Sequence, residues 1–351
     1  MFKKLQLYIT DFIKSSFAKK LLGVCKFLFA AVLIYFLTDS CGVKLQHFEQ
    51  LKWHYVASAG GVLLLQNFFV ALRWWWLLRA FKVEASFFTA LSLTMQGLFC
   101  MLFLPGGTVA ADLCKAALSA GASAAGQKFD AAFTVLLDRV CGLAGLLMLS
   151  FFAAFYYISW APYHLVGEIS YLLKGVMIGS PVLLVIIYGA FHADKLLKIP
   201  LLQRLYDWCN SWSKDFFKQI VESLCICRSA KKQVIGCMLF SALVTFPLII
   251  LCIYFIGRSF AGAGDSVFYG AILSGSAGEL TGLLPLTPGS IGVRDVIFLK
   301  CFQACGLGNE SAALIPLIFT ALLFITGSTG ALFMLNMLWK KNSRSAKDQS
   351  V

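Results

Sequence analysis

Residues 96–119 read QGLFCMLFLPGGTVAADLCKAALS. An apolar run that begins near residue 87 stops at Leu104-Pro105-Gly106-Gly107, and Asp112 and Lys115 follow at a helical i,i+3 spacing. Proline removes a backbone donor and glycine permits a sharp turn, so the chain breaks here. Whether this stretch crosses a membrane or turns back inside it fixes the orientation of everything downstream.

The surrounding chain makes the membrane the right frame. Of 351 residues, 59% are hydrophobic and 13% charged, against roughly 45–50% and 25% in soluble domains. That excludes a soluble domain, a disordered chain and a disulfide-built secreted module. Cys25, Cys100, Cys141, Cys237 and Cys252 lie in apolar runs and act as small hydrophobes. The net charge of +13 comes from 30 Lys and Arg against 17 Asp and Glu. In so apolar a chain it marks one membrane face and not a nucleic-acid partner.

Apolar stretches lie at about 21–38, 54–72, 87–104, 129–157, 171–191, 234–257, 267–305 and 313–338. A full span needs about 20 residues. The stretch from 267 is also broken, at Leu284-Pro285-Leu286-Thr287-Pro288-Gly289. If 87–104 crossed fully, Lys115 and Lys128 would lie outside, and the Lys/Arg-free loop 158–170 would face the cytoplasm. A re-entrant hairpin over 87–127, entering and leaving from inside, removes both conflicts. On that topology 22 of the 30 basic residues are cytoplasmic and three lie outside. The expected fold is all-α: a bundle of about six full spans plus two re-entrant hairpins, or eight transmembrane helices if each hairpin is counted once.

The order span, span, hairpin, span then occurs twice with opposite starting sides, over 21–157 and 171–338. That is an inverted repeat of the transporter kind, with broken helices from both halves meeting near the midplane. Residues 1–20 form a basic cytoplasmic N-terminus. Leu201, Leu205, Trp208, Trp212 and Phe216 give 192–233 an amphipathic helix on the cytoplasmic face, and 339–351 reads as a disordered basic tail.

Charges at membrane depth are costly, about 2.5–3.5 kcal/mol each on insertion scales, and mark function by default. Asp138 and Arg139 lie about ten residues into their span, each expected to meet a partner in a broken helix. Glu279 lies in the first arm of the second hairpin, and Arg294 and Asp295 lie just beyond its break. Asp112, Lys115, Asp138, Arg139, Glu279, Arg294 and Asp295 are therefore the candidate cavity residues. Pro105, Gly106, Gly107, Pro285, Pro288, Gly289 and Gly292 are the hairpin breaks. Thr108 and Ser290 are placed to cap the helix starts there, and half-helix N-termini with Lys115, Arg139 and Arg294 suit a phosphate. Arg73 and Arg79, with Trp74, Trp75 and Trp76, read as a cytoplasmic interface anchor. No P-loop, catalytic triad or zinc spacing is present in the sequence, so neither a cofactor nor a metal is expected, and the chain is not expected to be an enzyme.

Three segments carry a resemblance: Leu104-Pro105-Gly106-Gly107 with Ala111-Asp112-Leu113-Cys114-Lys115; FTVLLDRVCGL over 133–143; and Leu284-Pro285 through Pro288-Gly289-Ser290-Ile291-Gly292-Val293-Arg294-Asp295. In order and spacing they resemble the motifs of a bacterial family, the lysylphosphatidylglycerol synthase transmembrane region, also called flippase-like. The family carries Gly where this chain has Ala110-Ala111 and Ser290, Arg at Lys115, and Glu at Asp295. The resemblance implies an inner-membrane protein with both termini cytoplasmic, and cavity roles for Asp112, Asp138, Arg139, Arg294 and Asp295. The family's best-known member carries the flippase half of the multiple peptide resistance factor. The expected function is a lipid translocase moving a phospholipid, an aminoacylated phospholipid or a polyprenyl phosphate, with a separate lipid-modifying enzyme as possible partner. A non-transporting scaffold for envelope-lipid enzymes and a proton-coupled small-solute transporter are the alternatives.

Overall fold

The structure is a computed structural model that describes residues 32, 35, 49, 51–103, 107–124, 127–160, 168–191, 230–260, 264–280 and 290–348. All regular structure among them is helical: α1 (Trp53–Ala80), α2 (Phe87–Phe103), α3 (Gly107–Ala122), α4 (Lys128–Trp160), α5 (Glu168–Ala190), α6 (Lys231–Arg258), α7 (Asp265–Leu280), α8 (Val293–Ala304) and α9 (Asn309–Asp348). Five of these, α1, α4, α5, α6 and α9, are long and apolar enough to cross a membrane. The chain is a polytopic helical membrane bundle. Nearly all of the span expected at 21–38 and of the amphipathic segment 192–233 lies outside the described residues, as do Pro105, Gly106, Pro285, Pro288 and Gly289.

The chain divides into two compact units, one of residues 1–63, 94–114 and 251–351, the other of 64–93 and 115–250. In the second unit, Gln127 ties the end of the first hairpin to its beginning. Its Nε2 donates to the Lys82 carbonyl at 3.0 Å, and its Oε1 accepts from the Glu84 N–H at 3.3 Å. The chain thus leaves α3 where it entered α2. With 17 and 16 residues, the arms are about 26 and 24 Å long, short of the ~30 Å hydrocarbon core. Around this base, Trp74, Leu77, Leu78, Phe133, Val135 and Leu137 form a buried apolar core.

In the first unit, α7 and α8 pack as an antiparallel helical pair. A Cβ on Gly270 would strike the Phe302 ring, and one on Gly278 the Phe298 ring. Glycine at both positions lets phenylalanines of α8 lie flat on α7. Leu98 and Leu102 of α2 meet Gly327 of α9, and Met95 and Phe99 meet Gly330, where a Cβ would run into the Met95 backbone. Small residues permit such close approach, the main route to helix association in lipid.

Two sequence expectations change. Residues 341–348 are helical, a continuation of α9, where a disordered tail was expected. No Gly or Pro interrupts 331–348. Arg73 and Trp74 are not an interface anchor: they are 5% and 0% exposed. The apolar stretch does not end at residue 72, because α1 runs on through Leu77 and Leu78 to Ala80.

Candidate functional site

In the second unit, three helices bring charges together. Asp138 is eleven residues into α4, about 15 Å from the helix start. Its Oδ1 accepts from Arg73 Nε of α1 at 2.8 Å, and Lys115 Nζ of α3 lies 3.6 Å from its Oδ2. Arg73, Lys115 and Asp138 are 5%, 7% and 5% exposed. Two buried cations therefore share one buried carboxylate.

The supports of this cluster are equally specific. Arg73 Nη1 donates to Ser241 Oγ of α6 at 2.7 Å. Lys115 Nζ sits 3.9 Å above the Trp74 ring, a cation–π contact. The Trp74 indole N–H donates to Thr134 Oγ1 at 3.2 Å, and Thr134 in turn donates to the Ala131 carbonyl at 2.8 Å. A Cβ on Gly142 would stand 3.3 Å from Arg73 Nη1, so glycine there gives the guanidinium its room.

The first unit holds a second buried group. Arg294 Nη2 lies 3.0 Å from Asp295 Oδ1 and also donates to Thr320 Oγ1 of α9. Thr320 donates to Asp295 Oδ1 at 3.0 Å, and Asp295 Oδ2 accepts the Gly292 N–H at 3.0 Å. The Phe319 ring lies 4.8 Å from the Arg294 guanidinium. Glu279, half-buried in the last turn of α7, is near enough to Arg294 for their charges to interact. Here the cation is matched inside its own helix and clamped by a hydroxyl, an arrangement that fixes α8 against α9. Thr320→Val keeps the shape and removes the hydroxyl between two buried charges. It is expected to cost about 1–3 kcal/mol in unfolding of the purified protein, measured in mixed detergent.

The sequence reading expected Asp138 to meet a partner in a broken helix without naming it, and the structure brings Lys115 of α3 to it. Asp112 is half-buried one turn before Lys115, and Arg139 is exposed on another face of α4. Of the expected caps, Thr108 lies inside α3, and Ser290, at φ 60°, precedes the helix start. The N-cap of α8 is Gly292, at φ 87°, with the Asp295 carboxylate closing it. Three of the groups that hold the second unit's cluster were missed: Arg73, Trp74 and Ser241. For Arg73 the signal was present, since Trp74-Trp75-Trp76-Leu77-Leu78 follows it and leaves it flanked by apolar residues on both sides.

The family model for the lysylphosphatidylglycerol synthase TM region matches residues 23–330, which includes every residue of both buried groups. No curated protein and no solved structure matches the chain significantly.

Proposed function

The chain belongs to the lysylphosphatidylglycerol synthase TM-region family and is a multi-pass membrane protein tied to lipid metabolism or translocation; from that premise we propose that it moves a phosphate-bearing lipid between leaflets. The observation that carries this reading is the pair of buried cations, Arg73 and Lys115, on the single carboxylate of Asp138. Burying charge in this way is expensive. Two cations converging on one carboxylate make a site where an anionic group that arrives can take the carboxylate's place. A phosphate is such a group, and guanidinium and ammonium groups are the side chains that bind phosphate best.

On this reading Asp138 is a resident competitor. It holds both cations in the empty state and is exchanged against the lipid phosphate, while the acyl chains stay in the bilayer. Phospholipids, aminoacylated phospholipids and polyprenyl phosphates all carry that phosphate. The chain itself makes and breaks no covalent bond in this scheme, and a separate enzyme would modify the lipid. The proposed setting is the cytoplasmic membrane with both termini inside. Removing Arg73 and Lys115 from the charge count leaves 20 basic residues inside against three outside, so the topology argument survives their burial.

The test is reconstitution in vesicles containing a fluorescent phospholipid, with outer-leaflet quenching to follow flipping. Arg73→Gln and Lys115→Gln are each expected to slow flipping by about ten-fold or more, the loss of one charged hydrogen bond worth about 1.5–3 kcal/mol. Rates equal to wild type in both variants would remove the proposed role.

A further inference from the structure

Helix α6 is interrupted at mid-length by a π-segment, Ser241–Thr245. A π-turn holds one residue more than an α-turn, and such bulges are rare and concentrate at functional sites. In this one, the Phe246 N–H reaches back to the Ser241 carbonyl, and the Thr245 hydroxyl donates to the same carbonyl at 3.1 Å. The Ser241 hydroxyl donates to the Cys237 carbonyl at 2.7 Å and accepts from Arg73 Nη1 at 2.7 Å. Ser241 is 0% exposed. On the facing helix stands Gly145, where a Cβ would fall on the Ser241 side chain, 2.8 Å from the Ala242 nitrogen and 2.9 Å from the Met238 oxygen. The first residue of the bulge is thus the second partner of Arg73, seated against a glycine that makes room for it.

We infer that the π-segment is a register switch and that Ser241 is a positioning residue acting through Arg73. In the π state the hydroxyl holds the guanidinium on Asp138. If the segment relaxes to α geometry, the parts of α6 on either side rotate against each other by one residue, about 100°. The Ser241 hydroxyl then leaves Arg73, and one N–H edge of the guanidinium becomes available to a lipid phosphate. Two packings of one helix that differ by a single register step are the kind of bistable element from which switches are built. The inference rests on the reading above that Arg73 meets the headgroup.

The test is saturation binding of short-chain phosphatidylglycerol to the purified full chain in detergent, followed by tryptophan fluorescence. Arg73→Gln is expected to lose binding by ten-fold or more. Ser241→Ala is expected to bind about five-fold more tightly, because the empty state alone loses a hydrogen bond. Damage to the fold does not produce such a gain. Deletion of Leu243, which removes the extra residue of the bulge, is expected to act in the same direction; if that variant does not fold, Ser241→Ala decides alone. Unchanged or weaker binding by Ser241→Ala, with binding lost in Arg73→Gln, overturns the switch and leaves the headgroup reading standing. Unchanged binding by Arg73→Gln overturns both.

Discussion

Asp138→Ala is expected to destabilise the protein by about 3–5 kcal/mol, the usual result of stranding a buried charge. Here the loss leaves two cations, Arg73 and Lys115, without the carboxylate that both oxygens now supply. Water cannot reach to compensate, since neither cation is more than 7% exposed. The cost is that of buried charge losing its counter-ion and not of a missing contact, so replacing the whole cluster with apolar residues should recover it. Arg73→Met, Lys115→Met and Asp138→Leu together are expected to return stability to within about 1 kcal/mol of wild type, while flipping stays lost. Denaturant titration of the three forms in mixed micelles reads the difference. An Asp138→Ala protein as stable as wild type would mean that the three charges do not interact as described.

Gly145→Leu is expected to be nearly as damaging, at about 3 kcal/mol, the upper end of ordinary overpacking. The reason is what the new atoms meet. Most tight spots around a glycine involve the tip of a flexible side chain, which can move aside. At Gly145 two of the three nearest atoms, the Ala242 nitrogen and the Met238 oxygen, are backbone. Relief requires α4 and α6 to separate at the point where Ser241 reaches Arg73, so headgroup binding should weaken along with stability. Gly175→Leu provides the control, because open space surrounds that position, and its stability is expected to stay within about 0.5 kcal/mol of wild type.

Much of the fold was legible because membrane helices announce themselves by length and apolar content. The breaks expected at Pro105 and Pro285 lie outside the described residues, but the helices before them end at Phe103 and Leu280 and those after them start at Gly107 and Val293, as proline and glycine, which cannot continue a helix at no cost, require. The hairpin reading of 87–127 came from charge asymmetry alone, and the Gln127 contacts to Lys82 and Glu84 supply its closed base. The site was only half legible. Lys115 and Asp138 stand out as charges in apolar surroundings, but Arg73 sits near the end of its apolar run, where basic residues normally anchor at the interface. Ser241 carried no signal at all. A serine in an apolar helix usually bonds back to its own turn, as this one also does with Cys237. Its second bond depends on a π-turn and on Gly145 of another helix, and neither is written in local sequence.

The central claim is that Arg73 and Lys115 serve a phosphate. It is tested most directly by vesicles that carry either a fluorescent phospholipid or a fluorescent diacylglycerol glycoside, whose sugar headgroup is uncharged. The account predicts that wild type flips the phospholipid at least ten-fold faster than the glycoside, and that Lys115→Gln lowers the phospholipid rate alone. Equal rates for the two lipids, or an equal loss for both in Lys115→Gln, would contradict it.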